Sequence, residues 1–371
     1  MIHQLVPMLH ASDAVGQHTM AVQDALVGRG LDSKVFVEIE DPETADRTLP
    51  FADYPGMARR GDVLVYQFAT ASDVADWLVG RPETVVVNYH NVTPPESFAP
   101  WDNALARHQM RARLQLEGLA ADAALGVAVS EVNRADLMVA GFARTAVVPP
   151  VMRVQAVGGD ARTPRHRGAR WLAVGRLAPN KAVEDAVLAL FAYRCRFDPE
   201  AALLVVGKPA VATYAHALRR FVADLGLADA VAFAGRVDDR ALSDAYDRAD
   251  VLVVMSEHEG FCLPVTEAMA RLVPVVAYRQ GAVPEVLGDA GVLLDAKDAR
   301  TVAEAVHRLQ LDDAWRLDRV EAGRERLEAL QLDDAGERLA DLLVAVHARD
   351  PWPAGVAETR GRRRLLAPTG R

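Results

Sequence analysis

The sequence has 371 residues, of which 51% are apolar and 25% are charged, and its formal net charge is −9. This length exceeds one ordinary domain of roughly 100–200 residues, so we expect a globular chain with two domains. The acidic balance argues against a general nucleic-acid-binding protein, because it implies no broad cationic surface. An anionic ligand would therefore need its own local cations.

Neither export nor membrane insertion is indicated by the sequence. The opening stretch MIHQLVPMLH lacks the basic start and the cleavage site of a signal peptide. No apolar run approaches the ~18 residues that a membrane-spanning helix needs. The two cysteines, Cys195 and Cys262, call for no disulfide framework. We therefore expect a cytoplasmic protein.

The first half of the chain alternates between strand and helix patterns. Short apolar runs predict strands at 3–9, 34–39, 62–68, 84–90, 125–130 and 146–151. Apolar residues at helical spacing lie between the first two runs and near 71–79, 102–119 and 131–140. Strands that are apolar throughout and separated by helices indicate a parallel sheet covered on both faces.

A polar, basic stretch at 153–169 interrupts this pattern and is predicted to be an interdomain linker. Beyond it the alternation resumes, with predicted strands at 171–175, 202–207, 230–235, 250–255 and 273–278 and a helical end at about 300–347. The basic residues 351–371 lose apolar periodicity, and we expect a disordered tail there. Contact of this tail with an anionic membrane surface is the alternative to simple solvation.

These patterns predict an α/β protein with two Rossmann-like, doubly wound parallel-sheet domains that face a central cleft. The first domain is expected to cover residues 1–152 and the second residues 170–332. Ligands of such sheets bind at the carboxyl ends of the strands. The segments that directly follow a strand are therefore the candidate sites.

Two cations follow the first strand of the second domain, in VGRLAPNK. Arg176 and Lys181 flank a turn that precedes a helix, and cations beside a helix N-terminus suit a pyrophosphate. The alternative is a pair of solvated surface charges, as most arginines and lysines are.

Two carboxylates flank the loop in EHEGFCLPVTEAMA, residues 257–270. Anions bind well to backbone amides at a helix start, so the amides of this loop suit a phosphate. Glu259 before the loop and Glu267 one turn into the helix are then placed to accept hydrogen bonds from sugar hydroxyls. The alternative is that Glu267 only favours the helix dipole, worth ~0.3–1 kcal/mol, and that Glu259 is loop surface.

The segment EHEGFCLPVTEAMA resembles the Glu-x7-Glu signature of retaining glycosyltransferases with the GT-B fold, of the family 4 type. The similarity extends through VGRLAPNK, GRVDDRALSDAYDRADVLVVMSEHEGF and VPVVAYRQGAVPEVLGDAGVLL. These blocks cover nearly the whole second domain in the expected order, which makes the match specific. In this fold the last helix commonly returns to the first domain, so we expect residues 333–350 to pack there.

The resemblance implies a donor site. Arg176 and Lys181 would bind the donor diphosphate, Glu267 the ribose, and Glu259 the transferred sugar. Donor-binding residues are also implied in the loop amides and near the nucleotide base, namely Gly260, Phe261, Cys262, Leu263, Arg236 and Val237. The family often has glycine at position 262, and we expect Cys262 to be a small packing residue rather than a reactive thiol.

Two first-domain positions also match the family. Gly16 resembles the glycine loop that approaches the donor phosphate or the acceptor, although the family usually has paired glycines there. His90 ends a strand, and the resemblance places a histidine against a hydroxyl of the transferred sugar; the alternative is a histidine bonded to neighbouring backbone. We expect His18 to be structural, and we assign no role to Asn88 or Asn91.

The implied reaction moves a glycosyl group from a nucleoside-diphosphate sugar to an acceptor hydroxyl with retention, by front-face attack. We expect no metal, because Asp238 and Asp239 more plausibly begin a helix than chelate an ion. The acceptor would be a carbohydrate, a lipid-linked glycan or a small molecule, with peripheral membrane contact possible and no nucleic acid. The alternatives are a sugar-nucleotide epimerase of the same fold and a non-catalytic two-domain binding protein.

Overall fold

The computed structural model describes residues 1–10, 13–151, 167–351 and 359–360. The chain divides into two compact units, each with its own sheet. The first unit comprises Met1–Val92, Arg107–Arg153 and Leu332–Arg371, and the second comprises Thr93–Ala106 and Val154–Gln331. The predicted linker over 153–166 and the predicted tail over 352–358 and 361–371 lie outside the described residues.

The first unit is built on an eight-stranded sheet in the order β14-β7-β6-β5-β4-β1-β2-β3. Its strands are β1 Ile2–Met8, β2 Val35–Ile39, β3 Thr48–Pro50, β4 Val63–Phe68, β5 Thr84–Tyr89, β6 Leu125–Ala128, β7 Arg144–Val147 and β14 Thr359–Arg360. All pairs are parallel except that of β14 with β7. The order 3-2-1-4-5-6 within this sheet is that of a doubly wound Rossmann fold.

The six predicted strands of this unit are all present, and their differences from the prediction have local causes. The strand predicted at 146–151 ends at Val147, because Pro149 and Pro150 cannot donate to a ladder. The edge strand β3 was not predicted, because residues 48–50 follow a polar, acidic segment without apolar alternation. The two-residue β14 lies within the part of the chain predicted to be a disordered tail.

Helices cover both faces of the first sheet. They are α1 Ala14–Gly28, α2 Tyr54–Met57, α3 Asp73–Leu78, α5 Asn103–Ala120, α6 Glu131–Ala140 and α14 Ala335–Ala348, while α4 Pro95–Phe98 groups with the second unit. The last helix, α14, packs against α1 and β4, and its Leu339 and Leu343 are fully buried. The other face is filled by aromatic residues such as Tyr66 and Phe68. Both faces of the strands are therefore apolar, as parallel sheets require.

The second unit has a six-stranded, fully parallel sheet in the order β10-β9-β8-β11-β12-β13. Its strands are β8 Arg170–Val174, β9 Ala202–Val206, β10 Val231–Gly235, β11 Val251–Val254, β12 Val275–Tyr278 and β13 Val292–Leu294. The short edge strand β13 was not predicted. The strand order reverses between β8 and β11, so the carboxyl ends of these two strands mark the switch point at which doubly wound sheets bind ligands.

The helices of the second unit are α7 Val183–Arg196, α8 Ala212–Asp224, α9 Asp239–Arg248, α10 Leu263–Ala270, α11 Val283–Leu287, α12 Ala299–Leu311 and α13 Asp313–Leu330. The single helical end predicted at 300–347 is thus three helices, α12, α13 and α14. Asp312 divides the first two, because its carboxylate accepts from Trp315 N–H and begins a new helix. Within the described ranges, no helix is both long and apolar enough to cross a bilayer.

Side-chain caps define several helix starts, and that of α6 is fully buried. The Ser130 hydroxyl accepts a hydrogen bond of 3.1 Å from Asn133 N–H. We expect Ser130→Ala to lower the free energy of unfolding by about 1 kcal/mol, since a buried helix donor loses its partner. Chemical denaturation measures this loss. The matched control is Val139→Ala in the same helix, where the side chain is 89% exposed and the change should stay within about 0.5 kcal/mol. Equal effects of the two substitutions would contradict the role of the cap.

Candidate functional site

An ion pair joins the loops that follow β8 and β11. The Lys181 ammonium lies 2.6 Å from Glu259 Oε1, and the two side chains are 20% and 8% exposed. Lys181 ends a short 3-10 turn before α7, and Glu259 precedes α10. Lys181 also lines one small cavity with Gly175 and Ser256, at the ends of the same two strands. The structure thus brings together two predicted site residues that are 78 positions apart.

Backbone contacts fix the loop that carries Glu259. Glu257 N–H donates to the Asn180 carbonyl at 2.8 Å, and the Asn180 side chain donates to the His258 carbonyl at 3.2 Å. On the other side Gly281, at φ +57°, approaches so closely that a Cβ would lie 2.7 Å from the Glu259 carbonyl oxygen. The position of Glu259 is therefore set by both neighbouring loops and tolerates no side chain at position 281.

Lys297 adds a second ionic link between the same loops. Its ammonium lies 2.6 Å from Asp185 in the first turn of α7 and 2.7 Å from Glu257 in the Glu259 loop. Burial disfavours the charged form of Lys297, but the bonds to Asp185 and Glu257 outweigh it and raise the pKa. Lys297 was not singled out in the sequence, because the residues around it, LLDAKDAR, follow no motif of known chemistry.

The start of α10 has backbone amides of the kind that bind anions. Among the described residues, no acceptor takes a hydrogen bond from the backbone N–H of Gly260, Phe261 or Cys262. Cys262, which caps the helix, is buried and has φ +75°, a left-handed conformation in which glycine is favoured. The glycine that the resemblance would place here could adopt this conformation without strain.

The Cys262 thiol is poorly suited to chemistry. Burial, followed by the nearby Glu259 carboxylate, raises its pKa well above the ordinary range of a thiol. Thiolate formation is therefore disfavoured, and the packing role expected for Cys262 stays a prediction.

Glu267 is held inside the first turns of α10 by a tyrosine. The Tyr246 hydroxyl donates to Glu267 Oε2 at 2.6 Å, and burial raises the pKa of both groups. The same hydroxyl lies 3.3 Å from the Pro264 carbonyl. Tyr246 was not identified from the sequence, although it lies in SDAYDRADV, one of the blocks that carry the family resemblance.

The remaining predicted residues of the second unit lie on the same edge of the sheet. Arg176 is exposed one residue after Gly175, and no described residue forms an ion pair with it. Arg236 is exposed and Val237 half-buried after the end of β10, while Leu263 is half-buried as the first residue of α10. Their binding roles stay predictions.

Asp238 caps α9 by accepting a hydrogen bond from Ala241 N–H at 2.7 Å, as expected for a residue that begins a helix. Across the residues that the structure describes, no group of three or more histidine, cysteine or carboxylate side chains has the arrangement of a metal site.

Gly16 lies in the first unit, at the start of α1. A Cβ there would lie 1.7 Å from the His10 carbonyl oxygen, and the Gly16 N–H donates to the capping Asp13 at 2.7 Å. The packing of the loop therefore explains the glycine by itself, and its binding role stays a prediction.

His90 also lies in the first unit, directly after β5. Its Nε2 is 2.6 Å from Gln67 Oε1, and its ring lies edge-on to His18 at a centroid distance of 5.1 Å. His18 is fully buried and accepts a hydrogen bond from Val151 N–H through Nδ1. Burial lowers the pKa of His18 to about 4, and it lowers that of His90 well below its usual range. Both imidazoles are therefore neutral at physiological pH, which fits the structural role expected for His18.

The different environments of the two cysteines give a test of the loop. Cys195 is exposed on α7, whereas Cys262 is buried and its pKa is raised. We expect Ellman's reagent at about pH 8 to titrate about one thiol rapidly in the folded protein, and the second only after unfolding. In Cys195→Ser the rapid phase should disappear. A rapid phase that persists in this variant would show that the thiol of Cys262 is accessible and the loop is not packed as described.

Glu267 is expected to destabilise the protein at neutral pH. Since its folded-state pKa is raised, its contribution to stability is present at acidic pH and is lost as pH rises through that pKa. Glu267→Gln, which still accepts from Tyr246, should therefore be more stable than the wild type at about pH 7.5, with a smaller difference at about pH 4.5. Urea unfolding at the two values measures this. A wild type that gains stability relative to the variant as pH rises would contradict the burial of the charge.

Sequence comparisons relate part of the chain to known proteins. Residues 163–326, just under half of the chain, match the family model described as glycosyl transferases group 1. A GDP-mannose-dependent alpha-(1-6)-phosphatidylinositol monomannoside mannosyltransferase of Mycobacterium tuberculosis is 33% identical over 180 residues, which are 46% of each chain. A D-inositol 3-phosphate glycosyltransferase of Acidothermus cellulolyticus is 35% identical over 195 residues, 48% of this chain and 42% of that protein. The chain thus spans less than half the length of these curated relatives.

Solved structures are similar over almost the whole chain. Sucrose-phosphate synthase from Thermosynechococcus elongatus superposes with a TM-score of 0.74 at 20% identity, over 94% of this chain and 100% of that one. Anabaena HepE in complex with UDP-glucose gives a TM-score of 0.70 at 16% identity, over 93% and 100%. At these identities the likeness establishes the fold, which is the GT-B fold of two Rossmann-like units. The chain thus has the GT-B fold, and its residues 163–326 match the model of the glycosyl transferases group 1.

Proposed function

We propose that the protein is a retaining glycosyltransferase that moves a sugar from a nucleoside-diphosphate sugar to an acceptor hydroxyl. The observation that carries the proposal is the ion pair of Lys181 and Glu259 at the switch point of the second sheet. It lies beside a helix start whose amides have no described acceptor, within the stretch that matches the family. An ammonium, free amides and carboxylates within two adjacent loops are the groups that a diphosphate joined to two sugars requires.

Each group has a separate task in the proposal. Lys181 and Arg176 bind the diphosphate, and the amides of the Glu259 loop help to orient the transferred sugar. Glu259 accepts hydrogen bonds from hydroxyls of that sugar. Glu267, which Tyr246 holds in position, accepts hydrogen bonds from the ribose diol.

The remaining proposed contacts involve the nucleotide base, a sugar hydroxyl, and the donor phosphate or the acceptor. Arg236 and Val237 follow the end of β10 and are proposed to contact the nucleotide base. His90, in the first unit, is proposed to bond a sugar hydroxyl, and Gly16 is proposed to lie near the donor phosphate or acceptor.

The ion pair has a direct consequence for donor binding. In the ligand-free protein Lys181 is neutralised by Glu259, which offsets part of the cost of holding both charges out of water. A diphosphate would take over the ammonium and leave the Glu259 carboxylate to the sugar hydroxyls. Binding therefore gives the ammonium a new ionic partner and gives the carboxylate hydroxyl donors, so that neither charge is left without a partner.

The chemistry asks the protein to stabilise the departing diphosphate. The bond between the anomeric carbon and the phosphate oxygen breaks, and the electron pair stays with the diphosphate while the centre becomes oxocarbenium-like. The acceptor oxygen attacks from the same face, and its proton passes to the leaving phosphate oxygen. The cations stabilise the charge that develops, as electrostatic groups do in many enzymes. A carboxylate nucleophile, as retaining glycosidases use, is not part of the proposal, and neither is a metal ion.

The donor and the acceptor are proposed only as classes. The name of the mycobacterial relative specifies GDP-mannose, and the HepE structure holds UDP-glucose, so both donors are to be tested first. The acceptor is proposed to be a carbohydrate, a lipid-linked glycan or a small molecule, in the cytoplasm. A lipid-linked acceptor would add peripheral contact with a membrane.

A thermal-shift screen of nucleotide sugars followed by an assay of transfer tests the proposal. A donor at a hundred times its Kd stabilises the folded state by ~2.7 kcal/mol. We expect nucleoside diphosphate to be released only when an acceptor is present. We also expect this release in buffer that contains EDTA. Release without an acceptor but with formation of a new sugar nucleotide would indicate epimerisation, and binding without turnover would indicate a binding protein.

Lys181→Ala is expected to lower the rate of transfer about a hundredfold or more, because its charge stabilises the leaving diphosphate. The variant should stay folded, since the loop that carries Glu259 retains its backbone bonds to neighbouring loops. Steady-state kinetics with the identified donor measure the effect. Arg220→Ala, at a surface arginine that is 78% exposed, is the matched control and should leave the rate unchanged. An unchanged rate in folded Lys181→Ala would reject the diphosphate role.

A further inference from the structure

In the first unit, a series of hydrogen bonds through fully buried amides ends at His90. Gln4 on β1 and Gln67 on β4 are fully buried, although most of their strand neighbours are apolar. Gln4 Nε2 donates to the Thr19 carbonyl at 2.9 Å, and Gln67 Nε2 donates to Gln4 Oε1 at 2.7 Å. Gln67 Oε1 then lies 2.6 Å from His90 Nε2. The amides thus connect a helix carbonyl to the imidazole.

The orientation of the amides in this series is fixed at its first member, which bonds a carbonyl of α1. The Thr19 carbonyl can only accept a hydrogen bond, so the amide nitrogen of Gln4 must face it. The oxygen of Gln4 then faces Gln67, whose nitrogen donates to it, and the oxygen of Gln67 is left for His90. Reversing both amides would place Gln4 Oε1 2.9 Å from the Thr19 carbonyl oxygen, a buried contact of two acceptors.

His90 must therefore carry its proton on Nε2. An imidazole nitrogen that faces an amide oxygen at 2.6 Å donates, and a neutral imidazole has one N–H, so Nδ1 is unprotonated. Burial and the adjacent His18 both disfavour a second proton, since they lower the pKa of His90. Among the residues that the structure describes, none forms a hydrogen bond with His90 Nδ1.

Asn88 does not alter this assignment. One atom of its amide, assigned as Nδ2, lies 2.8 Å from His18 Nε2 and 2.9 Å from Gln67 Oε1. The same atom lies 3.5 Å from His90 Nε2, a much longer contact than the 2.6 Å between that nitrogen and Gln67 Oε1. His18 accepts from Val151 through Nδ1, which places its own proton on Nε2 and favours the oxygen of Asn88 there, whereas Gln67 favours the nitrogen. The chain from Thr19 through Gln4 and Gln67 reaches His90 without passing through Asn88, so either orientation leaves His90 protonated on Nε2.

We propose that Gln67, oriented by Gln4, is a positioning residue that fixes His90 as the Nε2–H tautomer, so that His90 meets the substrate only as a hydrogen-bond acceptor through Nδ1. A sugar hydroxyl is a suitable partner, because it can donate to that nitrogen. This rests on the proposed function for the identity of the substrate, whereas the tautomer follows from the first unit alone. The proposal also accounts for an amide at position 67, because a carboxylate would favour a charged imidazole that donates through both nitrogens.

Nitrogen NMR of protein labelled at its ten histidines tests the tautomer directly. At neutral pH, the His90 signal, assigned by its loss in His90→Ala, should show a protonated Nε2 and an unprotonated Nδ1. A His90 that is protonated on Nδ1, or a mixture of both tautomers, would overturn the proposal. The experiment uses the free protein and no donor, so its outcome does not depend on the proposed activity.

Gln67→Leu should remove the preference between tautomers and lower kcat for transfer about tenfold or more, with a smaller change in the donor KM. The matched control is Gln115→Leu, which also removes a buried glutamine of the first unit, one that bonds the backbone of Ser72. The control should keep both the His90 signal and kcat. If Gln67→Leu and Gln115→Leu lowered kcat equally, Gln67 would be structural only.

Gln67→Glu gives a second readout that a structural role would not produce. The carboxylate still accepts from His90 Nε2, but it raises the pKa of the imidazole. The acidic side of the pH–rate profile should shift to higher pH, because His90 becomes protonated on Nδ1 and loses its acceptor. A profile unchanged from the wild type would overturn the proposal. If the wild type transferred no sugar while the NMR signal showed Nε2–H, the proposed function would fail and the tautomer assignment would stand.

Discussion

The second unit depends on the pairing of two charges at the point where its strand order reverses. Lys181 and Glu259 come from loops that follow adjacent strands, and neither side chain is well exposed. An unpaired charge in such a position is unfavourable, so each residue stabilises the other while no ligand is bound. The surrounding contacts support this pair: Asn180 joins the two loops through its carbonyl and its side-chain amide, and Lys297 joins them through two carboxylates. The same arrangement neutralises both charges in the free protein and places them where the proposed donor would need them.

The backbone on either side of the pair is strained in a consistent way. The helices that follow β8 and β11 are both capped by a non-glycine residue in the left-handed region, Ala182 at φ +45° and Cys262 at φ +75°. Such conformations cost of order 1–3 kcal/mol each and persist where the surroundings determine them. Here the surroundings include the two hydrogen bonds between the loops, one from Glu257 N–H to the Asn180 carbonyl and one from the Asn180 side chain to the His258 carbonyl. Strain and paired charge thus coincide at one edge of the sheet, as expected if that edge is shaped for binding rather than for stability.

Much of the fold follows from the sequence because its central strands are apolar runs of β-branched residues that alternate with helices. The edge strands β3 and β13 cannot be predicted in this way, because each has three residues and such short segments carry little pattern. The family motifs indicated the residues around α10, but no local pattern shows that Lys181 and Glu259 touch across 78 positions. The hydrogen-bond partners of His90, by contrast, could have been identified from the sequence. Gln4 and Gln67 are polar residues inside strands that are otherwise buried, and a buried amide must have a partner.

The two units differ in the charge of the groups beside their predicted binding residues. The second unit gathers formal charges, which suits phosphate, because only ions and oriented amides stabilise the charge of a departing diphosphate. The first unit gathers neutral amides and imidazoles, with the pKa of His18 lowered to about 4 by burial. Neutral groups of fixed direction suit hydroxyls, because each hydroxyl is both donor and acceptor and is oriented by the partner it meets. A charged His90 would lose this directionality by donating through both nitrogens. Burial of the first-unit network therefore keeps the imidazole neutral and directional, as the proposed contact with a polar, uncharged group requires.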